Sequence, residues 1–336
     1  MKILEHVSLQ PYTTFMTQSE ARYFTILETL GDFHELIKTN VWVNNPYILG
    51  GGSNILFTKD YNGLIVVNKL SGKEIVYEDE KVTDVEVFSG ESWSELVLWS
   101  VEKDYWGIEN LALIPGTVGA APVQNIGAYG VEAKDTIISV KVYDFKTNEI
   151  IILGNSDCNF GYRDSIFKQE PHRYFVISVT FRLSKIPRLN LEYGAIVNTL
   201  KEHGITDPSA KDMASVVTEI RQRKLPDVGE IGMAGSFFKN PVILEEHFQT
   251  IQQKYPDMPF YELENGQVKI PAGWIIETLG YKGIKEGNVG TYDKHALVLV
   301  NYGNATGEEV WDFAQKIIKE VKEQFDIIFE PEVIIL

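Results

Sequence analysis

A glycine-rich stretch at residues 114–130, IPGTVGAAPVQNIGAYG, constrains the fold of this chain more than any other feature. Its glycines are interleaved with alanines, prolines and side-chain amides. Glycine and alanine allow another group to approach the main chain closely, and glutamine and asparagine carry both hydrogen-bond donors and acceptors. The stretch therefore favours a loop shaped around a ligand.

A second glycine-rich segment, YILGGGSNILF at residues 47–57, places three glycines directly behind an apolar run. Successive N–H groups in such a turn can form a concave nest for an anion such as phosphate. The motif is not a P-loop, because no Gly-Lys-Ser/Thr follows, and it lacks the full glycine spacing of the dinucleotide fingerprint. Taken alone it is more typical of a flexible turn between strands. Two such loops together are able to enclose one large ligand.

Composition excludes several classes of protein. A chain of 336 residues, 44% hydrophobic and 23% charged, is typical of a soluble globular protein with two or three domains. The net charge of −16 argues against a general nucleic-acid or anionic-membrane binder, although a few local cations suffice for a small phosphorylated ligand. Cys158 is the single cysteine, so neither an intramolecular disulfide nor a cysteine-rich metal site is expected. With no signal peptide or membrane span in its hydropathy, the chain is expected in a reducing cytoplasm.

Hydrophobic periodicity predicts a mixed α/β or α+β chain. Short apolar runs between 47 and 70 indicate strands joined by turns. Alternation of apolar and polar residues predicts a half-buried mixed or antiparallel sheet from three segments, 82–90, 139–145 and 173–183.

Four further segments carry helix or strand signals. Helical spacing predicts a packed helix over 92–107, and a second helix is stopped by Pro226. A capping box of Thr306 and Glu309 predicts the start of the last long helix, whose apolar stripe is core. The final run FDIIFEPEVIIL is strand-like, which would place Glu330 and Glu332 on one side.

The two loops and six further segments resemble one family along nearly the whole chain. GGGSN followed by PGTVGAAPVQNIGAYG is similar to the FAD-binding region of UDP-N-acetylenolpyruvoylglucosamine reductase, the MurB family of peptidoglycan synthesis. The resemblance continues through GYRDSIFK (161–168), EYGAI (192–196), RQRKLPD (221–227), AGSFFKNP (234–241), PAGWIIE (271–277) and EPEV (330–333). The EYGAI segment indicates the subclass that carries a tyrosine on its substrate loop.

The resemblance implies a fold and three parts of the chain. It implies a vanillyl-alcohol-oxidase/PCMH-type FAD-binding domain of two subdomains, over 1–70 and 71–210, followed by a substrate-binding domain over 211–336. The last strand, about 328–336, would return to the active site.

The resemblance also implies a cofactor, FAD, and a set of residues that bind it. The pyrophosphate of the flavin would occupy the first glycine turn. The implied cofactor residues are Gly50, Gly51, Gly52, Ser53, Asn54, Pro115, Gly116, Thr117, Gly119, Ala120, Ala121, Gln124, Asn125, Gly127, Ala128, Tyr129, Gly130 and Arg221.

The implied reaction is NADPH-dependent reduction of an enolpyruvyl ether, and three residues match its catalytic positions. No amino-acid side chain donates hydride, so reduced FAD must supply it. Arg163, whose guanidinium can hold a carboxylate through two hydrogen bonds, would stabilise the developing charge. Glu332 would assist it in protonated form, and Ser236 would donate a proton to the carbanionic carbon. Without the resemblance, these residues would be a surface ion pair, an exposed glutamate and a turn serine.

Residues for the UDP sugar follow from the same resemblance. They are Tyr162, Tyr193, Lys224, Asn240, Lys282 and His295. The chain departs from the family at His295, where many relatives carry glutamine or glutamate, and in its short tail after Glu332. NADPH has no separate motif, and in the family it uses the pocket of the UDP sugar in alternation.

Two other functions remain open at this point. One is a flavin oxidase of the wider fold superfamily, which would have no need of Arg163, Ser236 and Glu332 as a set. The other is a non-catalytic nucleotide-sugar sensor that kept the pocket. A monomer with a small-molecule substrate, no nucleic-acid partner and no membrane insertion is expected.

Overall fold

The structure is a computed structural model that describes residues 1–191, 193–226, 229–263 and 265–336. Its contacts divide the chain into two compact units. The first contains Met1–His6, Arg22–Gly51 and Asn62–Arg223, and the second contains Val7–Ala21, Gly52–Tyr61 and Lys224–Leu336. The domain boundaries at 70 and 210 stay predictions. Glu192 and Asp227, which belong to two of the quoted motifs, lie outside the described residues.

A five-stranded antiparallel sheet dominates the first unit. Its strand order is Glu149–Gly154, Ile137–Asp144, Tyr174–Ser184, Val82–Phe88 and Lys73–Glu78. The three central strands are the three alternating segments, and Val140, Val179 and Val87 pair side by side with their side chains fully buried. The antiparallel arrangement predicted from the alternation is therefore confirmed.

A four-stranded sheet leads into the first glycine turn. Its order is Leu4–Ser8, Glu20–Leu27, Tyr61–Asn68 and Pro46–Leu49. The last two strands are parallel, with Leu49 opposite Val67, and the three glycines begin immediately after Leu49. A second short pairing, of Gly127–Ala128 with Val131–Glu132, lies within the other glycine-rich stretch.

Five α-helices lie in the first unit or end at its boundary. They are Leu30–Leu36, Trp93–Glu102, Ile166–Gln169, Gly194–Glu202 and Ala210–Lys224. Short 3₁₀ helices are Glu109–Leu111, Val118–Ala120, Ala133–Asp135 and Asn155–Cys158. The helix expected over 92–107 ends at Glu102, because Asp104 takes a left-handed backbone conformation with φ of 55°.

The helix Ala210–Lys224 begins at the position of the predicted boundary at 210. It buries Met213, Val217 and Ile220 in the same hydrophobic core as the central strands of the large sheet. An apolar face of this kind requires a packing partner, and here the partner is the first unit.

The second unit is built from small sheets and three α-helices. One sheet has the strand order Gly232–Ser236, Val298–Asn301, Val289–Thr291 and Lys285–Glu286. A second sheet has the strand order Val242–Leu244, Gln267–Lys269 and Tyr261–Leu263. In a third, Ile55–Leu56 pairs in parallel with Ile334–Ile335. The helices are Glu245–Lys254, Ala272–Thr278 and Gly307–Phe325, and a 3₁₀ turn spans Gln10–Tyr12.

The last long helix confirms its predicted start. Thr306 accepts a hydrogen bond from the N–H of Glu309, whose carboxylate accepts one from the N–H of Thr306. The predicted stripe is buried in the core of the second unit: Val310, Phe313, Ala314, Ile317 and Val321.

The C-terminal run is strand only at Ile334–Ile335, so the prediction of a strand along the whole run is wrong. Pro331 makes an isolated bridge with Phe238, and proline has no N–H with which to continue a ladder. Glu330 is exposed and pairs with Lys239 at 2.8 Å, whereas Glu332 is half-buried.

Hydropathy along the helices of the described ranges shows none with both the length and the apolar character needed to cross a bilayer.

Candidate active site

The two glycine-rich loops meet within the first unit. A Cβ added to Gly51 would lie 2.8 Å from the Cα of Gly116, and one added to Gly50 would lie 2.6 Å from Oγ1 of Thr117. No side chain fits between the main chains at Gly51 and Gly116, so glycine is required at Gly51, and a side chain at Gly50 would displace the Thr117 hydroxyl. The structure thus brings together the loops that the sequence singled out separately.

A cavity of about 100 Å³ lies at this junction. It is lined by Ile48, Gly50, Asn68, Thr117, Gly119, Ala120, Tyr174, Phe175 and Val176. Four of these belong to the predicted cofactor set. The other five lie on sheet strands, where their periodicity indicates only core packing, so sequence reasoning missed them.

Asn125 and Ala121 stabilise the second glycine-rich loop through contacts within the protein. The side-chain amide of Asn125 is fully buried, donates from Nδ2 to the carbonyl of Gly161 at 3.0 Å, and accepts at Oδ1 from the N–H of Lys134 at 3.0 Å. Ala121 packs in the hydrophobic core. Both were expected to bind cofactor, and their observed contacts are with the protein itself.

The surroundings of the Arg221 guanidinium indicate whether the residues of the two loops and Arg221 fit FAD. Its Nε is shielded from solvent and has no hydrogen-bond partner among the described residues. Burial lowers the pKa of Arg221 below its usual range, and the neighbouring group that opposes this shift is the Tyr129 phenol. A shielded guanidinium N–H without an acceptor is costly, and a phosphate oxygen is an acceptor that suits it, so the residues fit a phosphate-bearing cofactor.

Tyr129 connects Arg221 with the expected substrate loop. Burial raises the pKa of the Tyr129 phenol, which keeps it neutral. Its ring meets that of Tyr193 edge-on, with centroids 5.6 Å apart. Tyr129 has a left-handed backbone with φ of 50°, and such strain is often found at functional sites.

Arg163 lies in a tight turn of the first unit. Its backbone is left-handed, with φ of 54°, and its Nη2 donates to the carbonyl of Gly127 at 2.7 Å. A Cβ on Gly127 would stand 3.1 Å from Nη1 of Arg163, so a larger residue would press on the guanidinium. The adjacent Tyr162 is exposed, with its ring centroid 5.4 Å from the guanidinium carbon.

Ser236 and Glu332 lie on adjacent segments of the second unit. Ser236 ends the strand Gly232–Ser236, and the next carbonyl, of Phe237, accepts from the N–H of Glu332 at 2.8 Å. Asn54 adds a bond from Nδ2 to the carbonyl of Glu332 at 3.1 Å. The GGGSN motif therefore contributes Gly50 and Gly51 to the first unit, and its remaining residues, Gly52 to Asn54, to the second.

The expected substrate residues of the second unit differ in their surroundings. Oδ1 of Asn240 accepts from the N–H of Ala272 at 2.9 Å and so satisfies the start of a helix. Lys282 pairs with Glu277 at 2.8 Å, and Lys224 is exposed at a helix end. His295 accepts at Nδ1 from the N–H of Leu297 at 3.3 Å, in the turn before the strand that pairs with Ser236.

The remaining predicted cofactor residues lie on the same two loops. Those of the first unit are Pro115, Gln124, Ala128 and Gly130, and those of the second are Gly52 and Ser53. Gly52 has φ of 62°, and a Cβ there would fall 1.9 Å from the carbonyl oxygen of Tyr12, which no other residue could tolerate.

Sequence reasoning missed two polar side chains that support these loops. Asn110 is fully buried and donates from Nδ2 to the carbonyl of Tyr129 at 3.1 Å. Lys168 donates from Nζ to the carbonyl of Arg163 at 3.0 Å. Lys168 stands in the quoted segment GYRDSIFK, yet spacing alone cannot show that it folds back five residues along the chain.

Two family models match this chain in different regions. One is described as the UDP-N-acetylenolpyruvoylglucosamine reductase C-terminal domain and matches residues 227–336. The other is described as an FAD binding domain and matches residues 26–154, which include both glycine-rich loops up to Gly130. The fold class predicted from the sequence is confirmed by these matches and by the mixture of helices and sheets.

Curated relatives match along almost the full length. A UDP-N-acetylenolpyruvoylglucosamine reductase of Flavobacterium johnsoniae is 45% identical over 99% of both chains. One from Pseudomonas aeruginosa is 42% identical over 99% of this chain and 98% of its own. The crystal structure of a reductase of this name (MurB) from Thermus caldophilus has a TM-score of 0.68, 22% identity and coverage of 100% and 99%, which shows a common fold.

Proposed function

This chain belongs to the UDP-N-acetylenolpyruvoylglucosamine reductase family, and from that premise we propose that it reduces UDP-N-acetylglucosamine enolpyruvate to UDP-N-acetylmuramate. Membership makes it an FAD-dependent oxidoreductase of peptidoglycan synthesis. The finer statements are part of the proposal: NADPH is the electron source, and the reaction takes place in the bacterial cytoplasm.

The observation that carries the proposal is the burial of the Arg221 guanidinium at its Nε. The shielded Nε of Arg221 has no partner among the described residues, and burial lowers the pKa of Arg221. Arg221 lies in the unit that holds Gly50, Gly51 and the second glycine-rich loop. FAD supplies the hydride when bound. Arg221 would pair with its pyrophosphate, while the meeting glycines would leave the main-chain N–H groups near the cofactor.

Arg163 would bind the carboxylate of the enolpyruvyl group. Hydride added at the terminal carbon of that group leaves negative charge at the adjacent carbon and, by conjugation, on the carboxylate. A guanidinium fixed in advance by the Gly127 carbonyl needs little reorganisation as that charge develops.

Ser236 would donate its hydroxyl proton to the carbanionic carbon and regain one from solvent. Glu332, whose N–H is bonded to the carbonyl of the residue after Ser236, would act with Arg163 on the enol-like charge. The UDP moiety would be bound by the matched residues Tyr162, Tyr193, Lys224, Asn240, Lys282 and His295, and the cofactor by the two loops and Arg221. Asn240 would do so with its amide nitrogen, since its oxygen already serves the helix at Ala272.

An anaerobic absorbance experiment tests the proposal. The protein with its flavin is bleached with NADPH, and the enolpyruvyl UDP sugar is then added. We expect the band to bleach and to return on adding that substrate. A band that returns only with oxygen would indicate a flavin oxidase, and a bound flavin that NADPH does not bleach would indicate a non-catalytic sensor.

The Ser236→Ala variant tests the proton donor. Bleaching by NADPH should survive, because it uses no proton from Ser236, while the return of the band with the UDP sugar should collapse. Ser71→Ala, at an exposed turn serine, is the matched control and should behave as the wild type. Normal turnover by Ser236→Ala would contradict the assignment.

A further inference from the structure

The turn that carries Arg163 has an unusual residue at its third position. Gly161 and Asp164 exchange two main-chain hydrogen bonds, of 3.0 and 3.3 Å, which close a four-residue turn. Arg163 is third in this turn and has φ of 54°. Glycine or asparagine usually occupies that position, since a Cβ makes the left-handed conformation strained. Some contact must therefore hold Arg163 in it.

Lys168 makes such a contact. It lies on the short helix Ile166–Gln169 and directs its ammonium back to the carbonyl oxygen of Arg163, with an Nζ–O distance of 3.0 Å. A charged donor makes a stronger hydrogen bond than a neutral one. Lys168 is half-buried, so solvent screens this bond less than it would at the surface.

Other bonds hold other groups of the turn. Asn125 donates to the carbonyl of Gly161 at 3.0 Å, and Gln169 donates from Nε2 to the carboxylate of Asp164 at 2.7 Å. The guanidinium of Arg163 is held separately by Gly127. The bond from Lys168 joins a side chain to the carbonyl of Arg163, which belongs to the peptide that follows the Arg163 Cα.

We propose that Lys168 is a positioning residue for Arg163. By holding the carbonyl of Arg163, it keeps the left-handed backbone from which the guanidinium reaches the Gly127 carbonyl. The inference rests on the proposed function, because that function assigns the substrate carboxylate to Arg163. Lys168 itself touches neither substrate nor cofactor in this role.

The inference predicts an effect on one half-reaction. Arg163 acts on the enolpyruvyl carboxylate, which is absent when NADPH reduces the flavin. Loss of the Lys168 bond should therefore slow the return of the flavin band with the UDP sugar and leave bleaching by NADPH within about twofold. A misplacement of about 1 Å at a catalytic group can cost about 100-fold, so we expect a fall of about 10- to 100-fold.

Three variants of the full chain, loaded with FAD, separate positioning from general effects. Lys168→Met keeps the unbranched stem and removes the donor, and Lys168→Arg keeps a charged donor and should restore much of the rate. Lys146→Met removes an exposed lysine of the same unit and should match the wild type. In an Arg163→Lys background, Lys168→Met should add little, because residues acting through one group are not additive.

A second readout does not depend on turnover. Amide hydrogen exchange of the peptide covering residues 161–169 should be faster in Lys168→Met and unchanged in Lys146→Met, since the Asp164 N–H is bonded within the turn. Equal exchange and equal rates in Lys168→Met and wild type would overturn the inference. Equal slowing of both half-reactions together with loss of flavin would also overturn it, because that result indicates a purely structural role. If the wild type fails to regain its flavin band with the UDP sugar, the proposed function fails, and the exchange data still decide whether Lys168 holds the turn.

Discussion

Replacing Arg221 with methionine should change two properties in opposite directions. Methionine keeps a long unbranched stem and removes the guanidinium, whose Nε is shielded and lacks a partner among the described residues. A buried polar group left unsatisfied costs about 1–3 kcal/mol. The free energy of unfolding of the cofactor-free variant should therefore rise by about that amount relative to the wild type.

The affinity for FAD should fall in the same variant. Hydrogen bonds to charged groups are worth about 1.5–3 kcal/mol, which corresponds to a rise in Kd of about 10- to 150-fold. FAD at 100 times the wild-type Kd stabilises the folded protein by about 2.7 kcal/mol, and a 30-fold rise in Kd would reduce this to about 0.9 kcal/mol. The smaller stabilisation by FAD distinguishes lost binding from lost folding.

Urea unfolding with and without FAD measures both quantities. Arg223→Met, two positions along the same helix, is the matched control: Arg223 is exposed and pairs with Glu202 and Glu219, so its loss should leave the FAD shift unchanged. If Arg221→Met instead destabilises the cofactor-free protein and binds FAD as tightly as wild type, Arg221 is a structural residue and the reasoning is refuted.

Three further outcomes follow from the described contacts. Gly51→Ala should lower FAD affinity at least tenfold in a fluorescence titration, because the added Cβ would meet the second glycine loop at 2.8 Å. The control Gly273→Ala, whose Cβ would lie 3.7 Å from its nearest neighbour, should bind FAD as the wild type does. Equal affinities of the two variants would contradict the contact at Gly51. Cys158 should not react with a thiol reagent at neutral pH until the protein unfolds, since it is buried and burial raises its pKa to about 12. Rapid labelling of Cys158 in the folded protein would contradict this prediction. The hydrogen bond from Arg173 holds the pKa of Asp144 below its usual value, so the stability that this pair contributes is present at neutral pH and is lost as the pH falls below about 4. Asp144→Asn should therefore weaken the pH dependence of the free energy of unfolding in acid. An unchanged pH dependence below about pH 4 would refute the contribution of this pair to stability.

Local sequence signals anticipated much of the fold. The capping box at Thr306 needs only residues within one helical turn, so its bonds follow from the local sequence. Alternation in three segments predicted a mixed or antiparallel sheet, because each strand has one buried face, and the structure shows that the sheet is antiparallel. Such signals fail where distant segments compete: the C-terminal run is apolar enough for a strand, yet Pro331 interrupts its ladder and leaves only Ile334–Ile335.

The candidate site was predicted mainly through ordered motifs. Family resemblance supplied the residue types at Arg163, Ser236 and Glu332, but their roles remain proposals. The structure adds contacts that no motif contains, such as the main-chain bond between Phe237 and Glu332. Lys168 and Asn110 were missed because their partners are carbonyl groups, which every residue carries and which leave no mark in the sequence.

The sequence by itself determined which segments form the two glycine-rich loops, where the last helix begins and which family the chain resembles. These properties depend on residue type and short-range spacing. Only the tertiary structure decided that Gly51 packs on Gly116, that the Nε of Arg221 is shielded without a partner among the described residues, and that Lys168 donates to the carbonyl of Arg163. These features depend on which main-chain atoms meet after folding, and close packing determines that outcome through many weak contacts at once.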